Sequence, residues 1–282
     1  MSGPYEVILA PNASMMTGPG TNTIVLGGDS TGAIVIDPGD ADARHLDSIV
    51  EAGVARGGIQ RILITHGHPD HIGGAAELRE RLGVSIYAFS RAGTPMADVE
   101  ITDGATFPCG DDVLHAIHTP GHRFDHHCYQ LEHQRILFAG DLVAGSGTVV
   151  ISPPEGNLLD YMKSLQHLLT LEIALMVPAH GPVIADARAR LEEYIRHRLQ
   201  REEQIINALA QAPAGTSIAS LVPQIYTDVD PQLHGIAAHS VEAHLLKLEQ
   251  EGRARREGEG WALTIKPGTP DALRGRSQDS RE

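Results

Sequence analysis

The chain has 282 residues, of which 41% are hydrophobic and 21% are charged, so it can bury a substantial core in one large domain or in one domain with a smaller companion. Its formal net charge of -14 excludes a protein whose main task is to bind a nucleic acid backbone through a basic face, although a small local basic site stays compatible with it. The two cysteines, Cys109 and Cys128, are too few and too far apart for a disulfide framework or a paired-thiolate zinc site.

The N-terminal segment MSGPYEVILAPNAS has no charged leader followed by an apolar core. No apolar run approaches the roughly 20 residues that are needed to span a bilayer. We therefore expect a soluble protein that is not exported. Reduced, structural cysteines favour the cytoplasm as its compartment.

Short apolar segments bounded by Gly, Pro and Asp dominate the first half of the chain. Apolar residues at helical spacing predict helices within DARHLDSIVEAGVARG and within GGAAELRERLG, and the second helix ends on Gly83. Because these helices alternate with strands, the fold class is α/β. Strands are predicted at YEVILA, NTIVLGG, GAIVIDPGD, RILIT, VSIYAF and VLHAIHTPG.

A second block with a similar layout follows. It contains predicted strands at HCYQLE, RILFAGD and ALMVPAHG, with a helix at LLDYMKSLQHLLTL between the last two. From about Asp186 the pattern changes to a long charged helix, two shorter helices and a hairpin at RARREGEGWALTI, an order typical of a small winged-helix module. We place the domains at 1–200 and 201–266, followed by a flexible tail at 267–282 that lacks periodicity.

The stretch THGHPDH follows the predicted strand RILIT and is rich in metal-ligating residue types. His66 and His68 lie two residues apart, so an extended backbone points them to the same side, whereas Asp70 and His71 begin the following turn. Imidazole and carboxylate suit Zn²⁺. One loop cannot complete two metal sites, so other strand ends must supply further ligands. The sequence offers His122 in TPGH, Asp141 in FAGD and His180 in PAHG.

A single histidine or aspartate at a strand end is more often a structural or turn residue. The combination of seven such residues in this order, each at a strand end, instead predicts a dinuclear metal site. THGHPDH, TPGH, AGD and PAHG together resemble the metallo-β-lactamase superfamily, which has a four-layered αβ/βα fold with its site at one edge of the sandwich. PGTNTIVLG, GSGTVV, LLDYMKSL, PAHGPVI and YIRHRLQREEQII resemble its β-lactamase-like protein 2 branch, which carries a C-terminal winged-helix-like domain.

The resemblance implies two zinc ions and assigns a ligand to each position. His66, His68 and His122 would bind the first ion, Asp70, His71 and His180 the second, and Asp141 would bridge them. Two ions that share a water lower its pKa toward about 7, so a metal-bridging hydroxide would be the nucleophile. Asp70 is the predicted catalytic residue that orients it.

Four further residues are candidates for the pocket or for support of the ligands: Asp37, Thr65, Arg123 and His126. For Asp37, a simple turn with Pro38 and Gly39 is an equally good interpretation. His127 is expected to point into the sheet or toward solvent.

We favour a hydrolase of small acyl compounds such as a thioester, ester or lactone. The alternative, which the resemblance implies, is a single-strand endoribonuclease, supported only by Arg123 and by the basic patch RARRE at 253–257. The missing leader disfavours β-lactam hydrolysis, and the complete ligand set disfavours a non-catalytic nucleic-acid-binding regulator. Flavodiiron relatives in the superfamily typically have an acidic ligand at the position of His68 and a flavin partner domain. Because this sequence has neither, iron-dependent redox chemistry is disfavoured. The expected partner is a small acyl substrate or single-stranded RNA rather than a membrane. For the C-terminal module, three roles are open: it shapes the cleft, binds nucleic acid or joins a homodimer.

Overall fold

The computed structural model describes residues 3–227 and 229–264, so the tail predicted at 267–282 lies outside the described residues. The chain divides into two compact units. The first unit contains the residues up to Val149 together with Glu155–Ile195, and the second contains Val150–Pro154 and the residues from Arg196 onward.

Six strands of the first unit form one sheet and lie side by side in chain order. The two pairings at the start of the sheet are antiparallel, and the remaining three are parallel. The strands are β1 (Tyr5–Leu9), β2 (Asn22–Gly27), β3 (Ala33–Ile36), β4 (Ile59–Leu63), β5 (Ser85–Ala88) and β6 (Val99–Glu100).

Five strands form the second sheet of this unit, in the order β11-β10-β9-β8-β7. All neighbours are antiparallel except β10 and β11, which are parallel. The strands are β7 (Thr106–Cys109), β8 (Asp112–His118), β9 (His127–Leu131), β10 (Ile136–Gly140) and β11 (Leu175–Pro178).

Strand β2 illustrates how the sequence builds the layers. Ile24 and Leu26 belong to a core that also contains Phe138 of β10, so they fill the space between the two sheets. Val25 belongs instead to a core that contains Leu46 of the first helix. Because successive side chains of a strand point to opposite faces, the continuous apolar run in β2 is buried on both sides.

Helices complete the outer layers of this unit. Asp42 caps the first of them, since its carboxylate accepts hydrogen bonds from the backbone N–H groups of Arg44 and His45. The fourth helix is fixed by Tyr161, whose hydroxyl donates to the Leu142 carbonyl. The helices of the unit are α1 (Ala43–Val54), α2 (Pro69–Ile72), α3 (Ala75–Leu82) and α4 (Leu158–Leu168). The predicted four-layered αβ/βα sandwich is confirmed.

Helix α5 (Ala187–Gln211) begins in the first unit and ends in the second. The predicted boundary between residues 200 and 201 lies inside this helix and stays a prediction. The second unit continues with α6 (Ile218–Ile225), α7 (His234–Gln250) and the hairpin of β12 (Ala254–Glu257) and β13 (Gly260–Leu263). Its own core contains Leu221, Val241 and Trp261. Helices followed by a two-stranded hairpin form the predicted winged-helix domain.

The sequence patterns did not predict three short elements, namely α2, β6 and β7. Strand β6 has two residues, and β7 contains Pro108, which lacks a backbone donor. Over the part of the chain that the structure describes, no helix is long and apolar enough to cross a membrane.

Candidate metal centre

The residues predicted as ligands all follow strands that end at one edge of the sandwich. The stretch from His66 to His71 follows β4, His122 follows β8, Asp141 follows β10 directly, and His180 follows β11. The structure gathers these seven residues into two groups, each with its donor atoms within 4.8 Å of one another. The first group is His66, His68, His122 and Asp141, and the second is Asp70, His71 and His180.

Three imidazoles converge in the first group. Nδ1 of His68 lies 2.8 Å from Nε2 of His66 and 3.1 Å from Nε2 of His122. Burial lowers the pKa of His66 well below its usual range, and the neighbouring His71 and His122 lower it further. Burial, His122 and Arg123 lower the pKa of His68 to about 4. His66 and His68 are therefore neutral at neutral pH, the form in which imidazole binds a metal.

The second group combines two imidazoles with the carboxylate of Asp70, and Asp141 of the first group lies beside them. Nε2 of His180 lies 3.2 Å from Oδ2 of Asp70 and 3.3 Å from Oδ1 of Asp141. Burial lowers the pKa of His180, but its hydrogen bonds to these carboxylates outweigh burial and raise the pKa to about 9. Burial raises the pKa of Asp141, but His71 and His180 hold that pKa well below its usual range. Asp70 and the neighbouring Asp141 thus bring negative charge to the imidazoles of this group.

Asp141 reaches both groups. Its Oδ2 lies 3.6 Å from Nε2 of His122 in the first group and 3.5 Å from Nε2 of His71 in the second. Its Oδ1 faces His180. One carboxylate placed between two sets of donors has the position that a bridging ligand requires.

Asp37 and Thr65 orient two of the imidazoles. Oδ2 of Asp37 accepts hydrogen bonds from the Thr65 hydroxyl at 2.6 Å and from Nδ1 of His71 at 2.7 Å. Because Thr65 donates to Asp37, its oxygen accepts from Nδ1 of His66, 3.1 Å away. Both rings therefore carry their proton on Nδ1 and turn Nε2 toward the site, as in carboxylate–histidine–metal arrangements.

The backbone of Asp37 has a positive φ of 50°, which is uncommon outside glycine. Strained residues of this kind persist where surrounding contacts hold them, often at functional sites. The turn interpretation therefore describes only the backbone of Asp37, since its side chain makes the contacts with Thr65 and His71.

His126 holds the backbone of Asp141 through a hydrogen bond. The backbone N–H of Asp141 donates to Nε2 of His126 over 3.0 Å, so the ring proton lies on Nδ1, 2.8 Å from the Thr119 hydroxyl. His126 is fully buried. His127 is also buried and lies beside Phe89 and Tyr129, so it faces the protein interior.

The donor atoms fit metal ions. Nε2 of His71 is buried without a hydrogen-bond partner among the described residues, yet it lies 3.6 Å from Asp70 and 3.5 Å from Asp141. A buried polar atom without a partner is costly, and a cation held with the two carboxylates would satisfy it. Five imidazoles and two carboxylates are ligands of borderline character, typical of zinc and neighbouring transition metals.

Two carboxylates near the first group were assigned no role from the sequence. Asp125 forms a buried ion pair with Arg123, and Glu155 lies 3.5 Å from Nε2 of His68. The sequence signal for Asp125 is its position next to His126 and close to His122, and Glu155 has no such signal. Both cysteines are buried and free, and they take no part in the metal groups.

A sandwich with two convergent sets of imidazoles and carboxylates at its strand ends defines a class of protein, the metallohydrolases. Residues 16–180 match the family described as the Metallo-beta-lactamase superfamily, and residues 217–261 match the Beta-lactamase associated winged helix domain. The chain belongs to the metallo-β-lactamase superfamily and is a metal-dependent hydrolase.

Its relatives place it further within the superfamily. The chain is 36% identical over 267 residues to the beta-lactamase-like protein 2 homolog of Drosophila melanogaster, covering 88% of each chain. It is 33% identical to the atrochrysone carboxyl ACP thioesterase of Passalora fulva, over 78% of this chain and 67% of the relative. A metallo-beta-lactamase family protein from Thermus thermophilus shares the fold with a TM-score of 0.76 and 20% identity, over 92% of this chain and 98% of that one. The predicted resemblance is confirmed.

Proposed function

We propose that the protein is a dinuclear zinc hydrolase that acts on a small acyl substrate such as a thioester, an ester or a lactone. The observation that carries this proposal is the convergence of two ligand groups, with Asp141 placed between them. Five of the seven ligands are imidazoles and none is a thiolate, a donor set that suits catalytic zinc.

Two bound zinc ions would supply a water of lowered pKa and would polarise the oxygen of the scissile bond. The protein's own contribution is to orient the reactants. Asp70 is the ligand carboxylate most open to solvent, with 29% of its side chain exposed against 14% for Asp141. Burial raises the pKa of Asp70, but the hydrogen bond from His180 and the charge of His71 outweigh burial and lower the pKa. An ionised, accessible carboxylate at this position accepts and directs a proton.

The charges around the site favour a small acyl substrate over RNA. Arg123 is 7% exposed, and its guanidinium is bound by Asp125 and Glu155, so it offers little charge to a phosphate. A relative named as a thioesterase supports acyl chemistry as well.

The basic patch at 253–257 is also engaged within its own unit. Arg253 pairs with Glu202 and Glu251, Arg255 pairs with Glu257, and Arg256 lies 4.6 Å from the Trp261 ring. Single-stranded RNA is therefore the alternative substrate rather than the preferred one.

The test is a substrate panel that contains a thioester, an aryl ester, a lactone, a β-lactam and an end-labelled single-stranded RNA. Zinc-loaded wild type is compared with Asp70→Ala and with Asp111→Ala, an exposed aspartate in the β7–β8 turn that serves as the matched control. We expect the acyl compounds to be cleaved by wild type and by the control, but not by Asp70→Ala. RNA cleavage with the same dependence on Asp70, and no acyl hydrolysis, would replace the acyl proposal with the endoribonuclease alternative.

A further inference from the structure

We propose that Asp125, held by Arg123, is a positioning residue that fixes the three imidazoles of the first ligand group. The inference rests on the proposed binding of metal by the two groups, and it deepens that function by assigning a residue that does not itself belong to either group. Asp125 is 1% exposed, and each of its carboxylate oxygens has a defined partner.

Asp125 joins two segments that are distant in the chain. Its Oδ1 accepts a hydrogen bond from Nε of Arg123 at 2.8 Å, and its Oδ2 accepts one from the backbone N–H of Gly67 at 3.0 Å. Gly67 stands between His66 and His68, and Arg123 directly follows His122. The one carboxylate therefore connects the loop after β4 to the loop after β8, and these two loops supply all three imidazoles of the first group.

The space around this carboxylate is closed. A methyl group at Gly93 would overlap with Oδ2 of Asp125, and one at Gly67 would overlap with the Gly93 carbonyl oxygen. Both positions therefore exclude a side chain, and the backbone of Gly67 is held between the Asp125 side chain and the Gly93 segment. Such close packing leaves the histidines on either side of Gly67 little freedom to shift.

Arg123 extends the same network to the outer side of His68. Its guanidinium NH1 donates to Oε2 of Glu155 at 3.1 Å, and that oxygen lies 3.5 Å from Nε2 of His68. The Nε2 edge of His68 thus faces a carboxylate while Nδ1 faces His66 and His122. Outer partners of this kind fix ring orientation, and their loss typically lowers metal affinity by about 10- to 100-fold.

The second group is held by a different carboxylate. Asp37 binds His71 directly and has no contact with the Arg123, Asp125 and Glu155 side chains among the interactions of the described residues. Asp37 reaches the first group less directly, through the Thr65 hydroxyl, which accepts from His66, and through His71, whose ring centroid lies 4.0 Å from that of His66. A change at Asp125 should therefore weaken the first group and spare the second, whereas a change at Asp37 should weaken the second group directly and the first group to a smaller extent through Thr65.

The experiment measures equilibrium metal binding rather than turnover. Zinc affinity is determined by competition with a chelating dye, and cobalt(II) binding is followed by its visible absorption, for the wild type, Asp125→Asn, Asp37→Asn and the exposed control Asp111→Asn. We expect Asp125→Asn to weaken one metal equivalent by about 10- to 100-fold and to leave the other within about threefold. Asp37→Asn should weaken the other equivalent more strongly than this one, and Asp111→Asn should weaken neither.

Two variants that each lack one metal ligand show which of the two ions Asp125→Asn affects. In His180→Ala, where the second group is incomplete, Asp125→Asn should still lower the affinity of the remaining ion. In His122→Ala, where the first group is incomplete, Asp125→Asn should leave the remaining affinity unchanged. Equal weakening in both backgrounds, or none in either, would overturn the assignment of Asp125 to the first group.

Removal of a charge beside a buried guanidinium is a risk for folding, so Arg123→Lys provides an independent variant. Lysine keeps the positive charge but cannot donate to Asp125 and Glu155 with the planar geometry of arginine. It should weaken the same metal equivalent as Asp125→Asn, and unchanged binding by folded Arg123→Lys would contradict the proposal. A wild type that binds no metal would refute the proposed function itself, whereas two tight ions that are insensitive to Asp125 and Arg123 would refute only this inference.

Discussion

The two units of the protein both bury histidine, but in opposite surroundings. In the first unit, His71 lies against Asp37, Asp70 and Asp141. Burial lowers its pKa, but Asp141 and Asp37 outweigh burial and hold the pKa well above its usual range. In the second unit, His244 is 1% exposed, and neither ring nitrogen has a hydrogen-bond partner among the described residues. Burial lowers its pKa well below the usual range, and the surrounding cations Arg198, Lys247 and Arg201, with His197, lower it further.

The comparison shows that burial alone does not make a metal site. The donors of the first unit converge, whereas His244 has cations as its charged neighbours and lies outside both candidate groups. Glu202, a buried carboxylate of the second unit, is already bound by Lys247 at 2.6 Å and by Arg253 at 2.7 Å. We therefore expect the chemistry to depend on the first unit and the second unit to respond mainly through its stability.

Removal of metal should produce the largest difference between the two units, because it should abolish hydrolysis and leave the second unit folded. Dialysis against a chelator should abolish hydrolysis completely, and zinc should restore it, because the site supplies no other nucleophile in our account. The chain has a single tryptophan, Trp261, which is 2% exposed in the core of the second unit. Its fluorescence should stay unchanged on chelation, and a large shift in emission would show that the second unit also depends on metal.

Asp70→Ala should have the next largest effect. Loss of a group that directs proton transfer lowers turnover by about 10²- to 10⁴-fold, and the loss of a ligand adds to this. The measurement is kcat at saturating zinc, with tryptophan emission as a check on the second unit. Turnover within a few-fold of wild type at full zinc occupancy would remove Asp70 from its catalytic role.

Trp261→Ala should have the opposite effect, because it should destabilise the second unit and leave the metal groups of the first unit intact. Truncation of a buried tryptophan costs about 3–5 kcal/mol of unfolding free energy, because it leaves a cavity among Leu221, Val241 and Leu245. Urea denaturation followed by circular dichroism should show the second unit unfolding earlier. The zinc content of the first unit should be unchanged, and its loss would contradict the separation of the two units.

The smallest effect concerns the pH dependence of stability in the second unit. Because burial depresses the pKa of His244 in the folded state, the unfolded chain binds the proton first. The stabilising contribution is therefore complete above the unfolded pKa of about 6.5 and is lost progressively as the pH falls below it. His244→Leu should reduce the slope of unfolding free energy against pH below about pH 6.5 by at most about 1.4 kcal/mol per pH unit. The measurement is urea denaturation of the second unit, monitored by the fluorescence of Trp261. An identical slope in the variant would show that His244 does not titrate as expected.

Much of the site could be predicted because strand ends and ligand types are local features. THGHPDH, TPGH, AGD and PAHG each follow an apolar run, and the structure brings their histidines and aspartates together. The supporting contacts were harder to predict, because they depend on how distant loops meet. Asp125 contacts Gly67 across 58 positions of the chain, and Asp37 contacts His71 across 34. No spacing in the sequence indicates these pairs, and β6 and β7 were too short or irregular to give a strand pattern.

The most direct test of the central claim is the metal content of the purified chain. Wild type, His122→Ala and His180→Ala are loaded with zinc, freed of excess by gel filtration and analysed by inductively coupled plasma mass spectrometry. Two ligand groups predict about two zinc ions per chain in the wild type and about one in each variant. A single ion in the wild type, or stoichiometric iron without zinc, would contradict the account.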